Sequence, residues 1–422
     1  MRIYYGWIIV VLAGLVMMLA MGTTVGVYGL YVIPVAEEMG LSRADVNTAF
    51  AANNIGGVLL APLIGRAADT FPVRRVMAFG ALCYVVSFVG IGLSQNLWVS
   101  AALMAFALPF VIGGLSSLGA MTIVARWFEA QRARALALSM IGMSMGAVVM
   151  APIVGWLIAQ FGWRNALIGQ GVVIGVLFAI LILFLRERPG PDDVEPLPKG
   201  MSRDSSAGKT GSDPASHKAL STRQLLSIPT YLVLAPAMAL GMGTFQAVTL
   251  SLVPMAQEAG ISVGTSALLL SVIAIAGVVG KFGVAIVGDR IDKALLASIC
   301  LILTAILIAM LPLPSGTAQL FALAALVGLI AGSMLPLFMA ILADVVGANS
   351  FASANGMASL VIALIGAITI RLSGDLYDLT GTYHTLFLTL AAAYAASSVL
   401  MLVISRMMRA NAQASPAAAI GS

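Results

Sequence analysis

The stretch TSALLLSVIAIAGVVGKFGVAIVG, residues 265–288, decides how the chain is read. It is almost wholly apolar, and as a helix rising 1.5 Å per residue it crosses a hydrocarbon layer about 30 Å thick. Lys281 stands inside it, eight residues before Asp289, or about 12 Å along the axis. That depth is near the bilayer midplane. A lysine there costs on the order of 2.5 to 3.5 kcal/mol on insertion scales. Its own helix face offers no carboxylate, since Ala274, Gly277, Ala285 and Gly288 flank it at helical spacing. Small residues leave space beside the ammonium for water, another helix or an anion. The alternative, a lysine snorkelling to the interface, asks a side chain of about 6 Å to cover about 12 Å.

Segments of the same kind recur along the chain. Twelve are long enough to span, at roughly 7–33, 46–64, 75–94, 97–121, 137–159, 166–186, 229–253, 265–287, 294–313, 317–340, 354–373 and 383–405. Only 9% of the 422 residues are charged and 60% are hydrophobic, against about 25% charged in soluble domains. The mean hydropathy is +1.04. The expected fold is therefore an all-α membrane protein. Of the 22 lysines and arginines, only Arg43 and Arg164 fall on one side of the membrane, and only Lys281 and Arg371 lie within spans. The rest crowd the other side, so the positive-inside rule sets both termini in the cytoplasm. The net charge of +5 follows from that topology and carries no signal for nucleic acid. Met1 to Gly6 leads straight into an apolar helix, which reads as no cleavable signal peptide.

The chain divides as 1–188, a first six-helix half; 189–224, a flexible cytoplasmic linker rich in Pro, Gly, Ser, Asp and Lys; 225–409, a second six-helix half; and 410–422, a disordered tail. The halves are weakly similar. Gly65-Arg-Ala-Ala-Asp69 with Arg74-Arg75 matches Ala285-Ile-Val-Gly-Asp289-Arg290 with Lys293 at an offset of 220. The pair Gly155 and Gly162 matches Gly374 and Gly381 at an offset of 219. Parallel repeats of this kind mark many transporters. At the 220 offset Lys281 meets Ala61, so the first half has no matching charge.

With these features the chain resembles the major facilitator superfamily. Gly65, Asp69, Arg74 and Arg75 resemble its cytoplasmic signature, with Thr70 and Phe71 departing from it. Within the superfamily it is similar to the monocarboxylate and oxalate/formate transporters. Four stretches carry this: Tyr5-Gly6-Trp7; Pro34 with Glu38-Met-Gly-Leu-Ser42-Arg43; Arg126-Trp127-Phe128 with Arg132 and Arg134, ahead of Gly142, Gly146, Pro152 and Gly155; and Lys281 with Asp289. The resemblance implies two six-helix pseudo-symmetric halves. It implies that Lys281, where the branch usually has an arginine, binds the substrate carboxylate, as a point charge in place of a fork. Gly277 stands where some members carry an aspartate used in proton coupling. It also implies that Asp69, Arg126, Asp289 and Arg290 form a cytoplasmic gate, pairing with arginines and helix N-termini.

Other polar residues in spans have two readings each. Arg371 is either structural, as a snorkelling arginine or a pair with Asp375 four residues on, or a second cation for a dianion. Asn53 and Asn54 either make an interhelical hydrogen bond, worth about 0.6 kcal/mol, or face a cavity. Tyr28 and Tyr31 are either interfacial anchors or substrate caps. Gln246, Thr249 and Asn355 are further candidates, and Met140, Met143, Met145 and Met150 suit packing or an adaptable wall. No acidic residue lies mid-span, which disfavours a cation carrier. Cys83 and Cys300 sit in apolar segments without metal or disulfide spacing, His217 falls in the linker, and His384 lies near the outer surface. There is no Gly-rich phosphate loop, so no nucleotide, enzyme chemistry or cofactor is expected.

The expected function is secondary transport of a small organic anion, a mono- or dicarboxylate, across the cell inner membrane. The substrate binds between the halves, which expose it to alternate sides. Protons are one candidate coupling ion and anion exchange the other; a single chain is expected to suffice. A rival of the same fold exports amphipathic compounds, and a rival of another class is a non-transporting membrane sensor.

Overall fold

The computed structural model describes residues 4–128, 131–190, 193, 222–287, 291–313, 316–347 and 350–414. The expected linker therefore lies almost wholly outside the described residues, as does the expected tail from residue 415 on, while residues 410–414, expected as disordered, continue the helix Tyr383–Ala414. Among the described residues every regular element is helical. Among these residues eleven helices are long and apolar enough to cross a membrane. One of them, Arg134–Phe184, has 51 residues, or about 77 Å of helix, more than twice the hydrocarbon thickness. It bends at Gly162, whose φ of 76° and ψ of 162° are not helical and suit glycine. Split there, it supplies two spans and the total becomes twelve. Leu59, Phe79, Leu183 and Ile368 are among many large apolar side chains left exposed, as lipid-facing helices require.

The chain forms two compact units. One comprises Met1–Leu41, Ala52–Ser216 and Ser262–Ser271; the other comprises Ser42–Ala51, His217–Ile261 and Val272–Ser422. The helices Arg43–Thr70 and Val263–Val287 each contribute to both.

Within each unit the helices meet backbone to backbone, which only glycine permits. In the first, Gly22 of Tyr5–Thr23 lies against Gly146 of Arg132–Phe184, where an added Cβ on Gly146 would sit 2.7 Å from the Gly22 nitrogen. In the second, an added Cβ on Gly243 of Pro229–Glu258 would sit 2.9 Å from the nitrogen of Gly366 in Phe351–Thr380. Gly146 and Gly366 stand at the repeat offset of 220, so both repeats build one crossing. Close approach through small residues replaces the missing hydrophobic drive between helices in lipid. Thr369 adds a hydrogen bond, donating through Oγ1 to the Gly243 carbonyl at 3.0 Å.

Three helices depart from a plain rod. The first expected span, 7–33, is broken: Tyr5–Thr23 ends, a 3₁₀ turn covers Val25–Val27, and Tyr28–Met39 follows. Thr23 and Thr24 donate to the carbonyls of Leu19 and Ala20, both at 2.6 Å, a back-bonding that bends helices. The span at 97–121 contains a π-helical stretch, Ile112–Ala120. Its repeat counterpart is interrupted at Gly332 and Ser333, between Thr317–Ala331 and Met334–Val346.

Two of the stretches that carry the family resemblance pack on each other. Tyr4 Oη donates to the Trp127 carbonyl at 2.6 Å, and Trp127 Nε1 donates to the Arg186 carbonyl at 2.7 Å. The Tyr5 ring carries the Arg186 guanidinium at 4.6 Å, and Trp7 stacks near Phe128 at 4.9 Å. The aromatic entry to the first helix thus clamps the Arg126-Trp127-Phe128 turn.

Backbone contact at the crossings predicts a matched pair of defects. Gly146→Val and Gly366→Val should each destabilise the protein by about 1–3 kcal/mol through overpacking. Gly169→Val, with nothing within 4 Å of an added Cβ, should be near neutral. Thermal unfolding in detergent, followed by size exclusion, checks the ranking.

Candidate functional site

Lys281 is half-buried in Val263–Val287. Gly277, one turn earlier on the same face, lies where an added Cβ would stand 3.3 Å from the Gly328 carbonyl and 3.4 Å from Gly332 Cα. Gly280 abuts the backbone carbonyl of Leu329. Lys281 therefore sits beside a tight helix crossing, at the level where the partner helix Thr317–Ala331 ends. An ammonium with small neighbours next to an interrupted helix can reach a ligand anion without displacing bulky side chains. In the same unit Gln246 is half-buried, and Thr249 Oγ1 donates to the carbonyls of Phe245 and Gln246. Thr244 is fully buried, with no hydrogen-bond partner for Oγ1 among the described residues.

Arg371 takes the first of its two sequence readings. Its guanidinium pairs with Asp375 at 3.0 Å and Asp45 at 3.5 Å. It also donates to Thr48 Oγ1 at 2.5 Å and to the Ala44 carbonyl at 3.1 Å. Two carboxylates already neutralise this cation, which suits a structural pair better than a second substrate contact.

The remaining expected contacts belong to the other unit. Tyr31 is buried and its hydroxyl accepts a hydrogen bond from Gln170 Nε2, while Gln170 Nε2 also donates to the Ala166 carbonyl at 3.2 Å. Gln170 Oε1 and Asn53 Oδ1 are buried without hydrogen-bond partners among the described residues. Tyr28 and Asn54 are half-buried. Gln170 was missed by sequence reading, although a lone amide between Gly169 and Gly171 in an apolar run was a usable signal. Among the described residues no cluster of His, Cys, Asp or Glu is placed to hold a metal ion.

The sequence matches the Major Facilitator Superfamily over residues 10–252 and 232–419. The chain belongs to the Major Facilitator Superfamily. It is thus a member of a transporter family and not an enzyme. Monocarboxylate transporter 12 of Xenopus laevis is 28% identical over 67% of this chain and 65% of its own length. Monocarboxylate transporter 13 of Bos taurus is 26% identical over 67% and 62%. The chain spans less than two thirds of the length of these relatives. The uncharacterised MFS-type transporter YcxA of Bacillus subtilis (strain 168) is 26% identical over 40% of this chain and 41% of its own. The fold is shared with a crystal structure of a bacterial homologue of the human lysosomal transporter Spinster, in an inward-facing and unoccupied conformation. The TM-score is 0.67 at 17% identity, covering 95% of this chain and 96% of that one.

Of the cytoplasmic gate residues that the superfamily pattern implies, Arg126 lies 3.7 Å from Glu187, which also accepts the Arg74 amide at 2.9 Å. The Asp69 side chain, Asp289 and Arg290 lie outside the described residues. In the second unit Asp292 caps Lys293–Met310 through the Ala294 and Leu295 amides and receives Ser405 and Arg409. Burial opposes its ionisation, but these donors outweigh it and hold the carboxyl below its ordinary range.

At the other end of the first unit, Arg164 Nε donates to Glu38 at 2.5 Å, and its NH1 donates to the Gly92 and Ser94 carbonyls. Trp163 Nε1 donates to the second Glu38 oxygen at 2.5 Å. Arg164 holds the Glu38 carboxyl below the usual carboxylate range. Because the folded pKa is depressed, this staple contributes fully above the unfolded value of about 4.3 and is lost as pH falls through the lower folded value. The melting temperature should therefore drop on acidification below about pH 4. Glu38→Gln should flatten that acid limb by lowering the neutral plateau toward the acid value, and only modestly, as expected for an exposed pair.

Proposed function

We propose that this superfamily member moves a small organic anion, a mono- or dicarboxylate, across the cytoplasmic membrane by alternating access. Lys281 binds the carboxylate. The observation that carries the reading is a half-buried lysine among small residues in an apolar span, within a chain whose spans hold no mid-membrane acid. An intramembrane charge is expensive and is retained where it serves a ligand or a pathway. The likeness to relatives named as monocarboxylate transporters supports the same substrate class. Tyr31, Gln170 and Asn53, with Tyr28 and Asn54, are polar groups of the first unit suited to orient a polar solute, as Gln246 is in the second.

The distribution of arginine and lysine supports cytoplasmic termini, with residues 189–224 as the linker between two six-helix halves. Gly277 in place of an acid in the lysine's own turn leaves two couplings, proton symport and anion exchange. A protonophore that abolishes uptake selects the first; uptake that needs an internal anion and ignores the protonophore selects the second.

Lys281→Ala should remove the thermal stabilisation that mono- or dicarboxylates give the wild type and lower their uptake in proteoliposomes at least tenfold, a loss of about 1.4 kcal/mol in transition-state binding. Lys281→Arg should keep most of both. Equal stabilisation of wild type and Lys281→Ala across a panel of acids would remove this site.

A further inference from the structure

Arginines outnumber carboxylates at one end of the first unit. Glu187 follows the helix that ends at Phe184. It is already engaged, because it accepts the Arg74 amide at 2.9 Å and lies 3.7 Å from the Arg126 guanidinium. The Arg74 guanidinium donates to the Leu183 carbonyl at 3.3 Å. The start of the helix Val73–Leu93 is thereby tied to the end of Arg132–Phe184. Arg75, Arg186 and Arg188 stand around this junction, exposed, and make no ion pair among the described residues. Arg186 lies over the Tyr5 ring. Asp193, the other carboxylate described in this stretch, accepts the Gly190 amide at 3.0 Å.

The equivalent end of the second repeat is built otherwise. At the offset of 220, Ala294 and Leu295 stand where the first repeat has Arg74 and Arg75. Two of its cations are answered within the chain, Arg409 by Asp292 at 2.9 Å and Lys293 by Asp344 at 2.8 Å. The general bias of basic residues toward one side of a membrane therefore does not account for the surplus, which belongs to the first unit.

The surplus sits where an apolar surface begins. Phe79, Leu82 and Val86 follow Arg75 at helical spacing and are 50%, 58% and 48% exposed. On the neighbouring helix Leu183, Ile180 and Val176 run back from the junction at the same kind of spacing, and all three are exposed. The two helices lie side by side, since an added Cβ on Gly171 would stand 3.1 Å from Phe88 Cβ and one on Gly175 would meet Val85. Two exposed apolar stripes thus flank one seam, with arginines at its mouth.

We propose that this seam binds an anionic phospholipid, with its phosphodiester on Arg74, Arg75, Arg186 and Arg188 and its acyl chains along the two stripes. Guanidinium groups present paired donors that match phosphate oxygens. A basic mouth between membrane helices suits a lipid headgroup. The stripes select a membrane lipid over a soluble anion, because a soluble anion gains from the arginines alone. The bound lipid neutralises cations that the described carboxylates leave unanswered, and it bridges the two helices at their junction. The site is independent of the cargo and of Lys281.

The test uses the full chain in detergent, with equal amounts of phosphatidylglycerol and phosphatidylcholine, read by native mass spectrometry. The wild type should retain one phosphatidylglycerol at least about tenfold over phosphatidylcholine. Arg74→Gln with Arg75→Gln should remove most of that preference. Arg406→Gln should leave it unchanged; Arg406 is the repeat counterpart of Arg186 and is also exposed. A phosphatidylglycerol carrying a photoreactive group near its headgroup keeps the test open if a variant fails to fold, because it uses the wild type. Its adducts should fall within residues 71–79 and 180–190. Equal retention of the two lipids by the wild type, adducts spread over both units, or an equal loss in Arg406→Gln would each overturn the proposal. Displacement of the lipid by inorganic phosphate at matched concentration would assign the arginines to a soluble anion and overturn it as well.

Discussion

The hydrocarbon layer contains no water, and that constraint governs the chain from end to end. Every backbone group inside it must be satisfied within a helix. Helices then cannot be driven together by the hydrophobic effect, because lipid is as apolar as leucine. What remains is close packing, and close packing needs missing side chains. Gly22 against Gly146 and Gly243 against Gly366 are the outcome. Gly146 and Gly366 stand at the repeat offset of 220, and Gly22 and Gly243 within one residue of it, even though the sequences around them have diverged. Packing geometry changes more slowly than surface chemistry because a single Cβ at the contact would push two backbones apart.

The same constraint decides what could be read in advance. Apolar length announces a span with little ambiguity, so the helices were plain from the residues alone. The exceptions are local. The break at Thr24 was hidden, because threonine and glycine are common in membrane helices and their back-bonding to Leu19 and Ala20 depends on rotamer choice. The π-helical stretch at Ile112–Ala120 has no marker beyond its glycines. At the site, the Asp375 partner of Arg371 was legible from spacing in one helix. Its other partners, Ala44, Asp45 and Thr48, lie near the opposite end of the chain, and no periodicity encodes such a meeting. Gln170 was visible and overlooked, while its pairing with Tyr31 needed the fold.

Lys281 and Arg371 show how differently two intramembrane cations can be used. Arginine offers a planar fork with five donors, and Arg371 spends them on two carboxylates, a hydroxyl and a carbonyl. Such a group stabilises one arrangement of the chain. Lysine is a compact point charge on a flexible stem, and Lys281 stands half-buried beside the tight helix crossing at Gly277 and Gly280. A flexible stem suits a ligand that arrives and leaves. A planar fork on one side and a flexible stem on the other separate a structural cation from a proposed binding one, although both looked alike as single letters in an oily run.

Duplication supplies the last step. A duplicated gene begins with two equal halves, and two equal halves would make two equal staples. Here Glu38 and Glu258 are equivalent, but the arginine that answers the first has become Tyr383 in the second. That change leaves a carboxylate without its local counter-ion, held near two tyrosine hydroxyls. A carboxylate in that position attracts whichever guanidinium can reach it, and Arg43 does so at the start of a helix whose remaining length belongs to the other unit. Asymmetry between the repeats thus decides which segments of the chain each of the two equivalent carboxylates ties together.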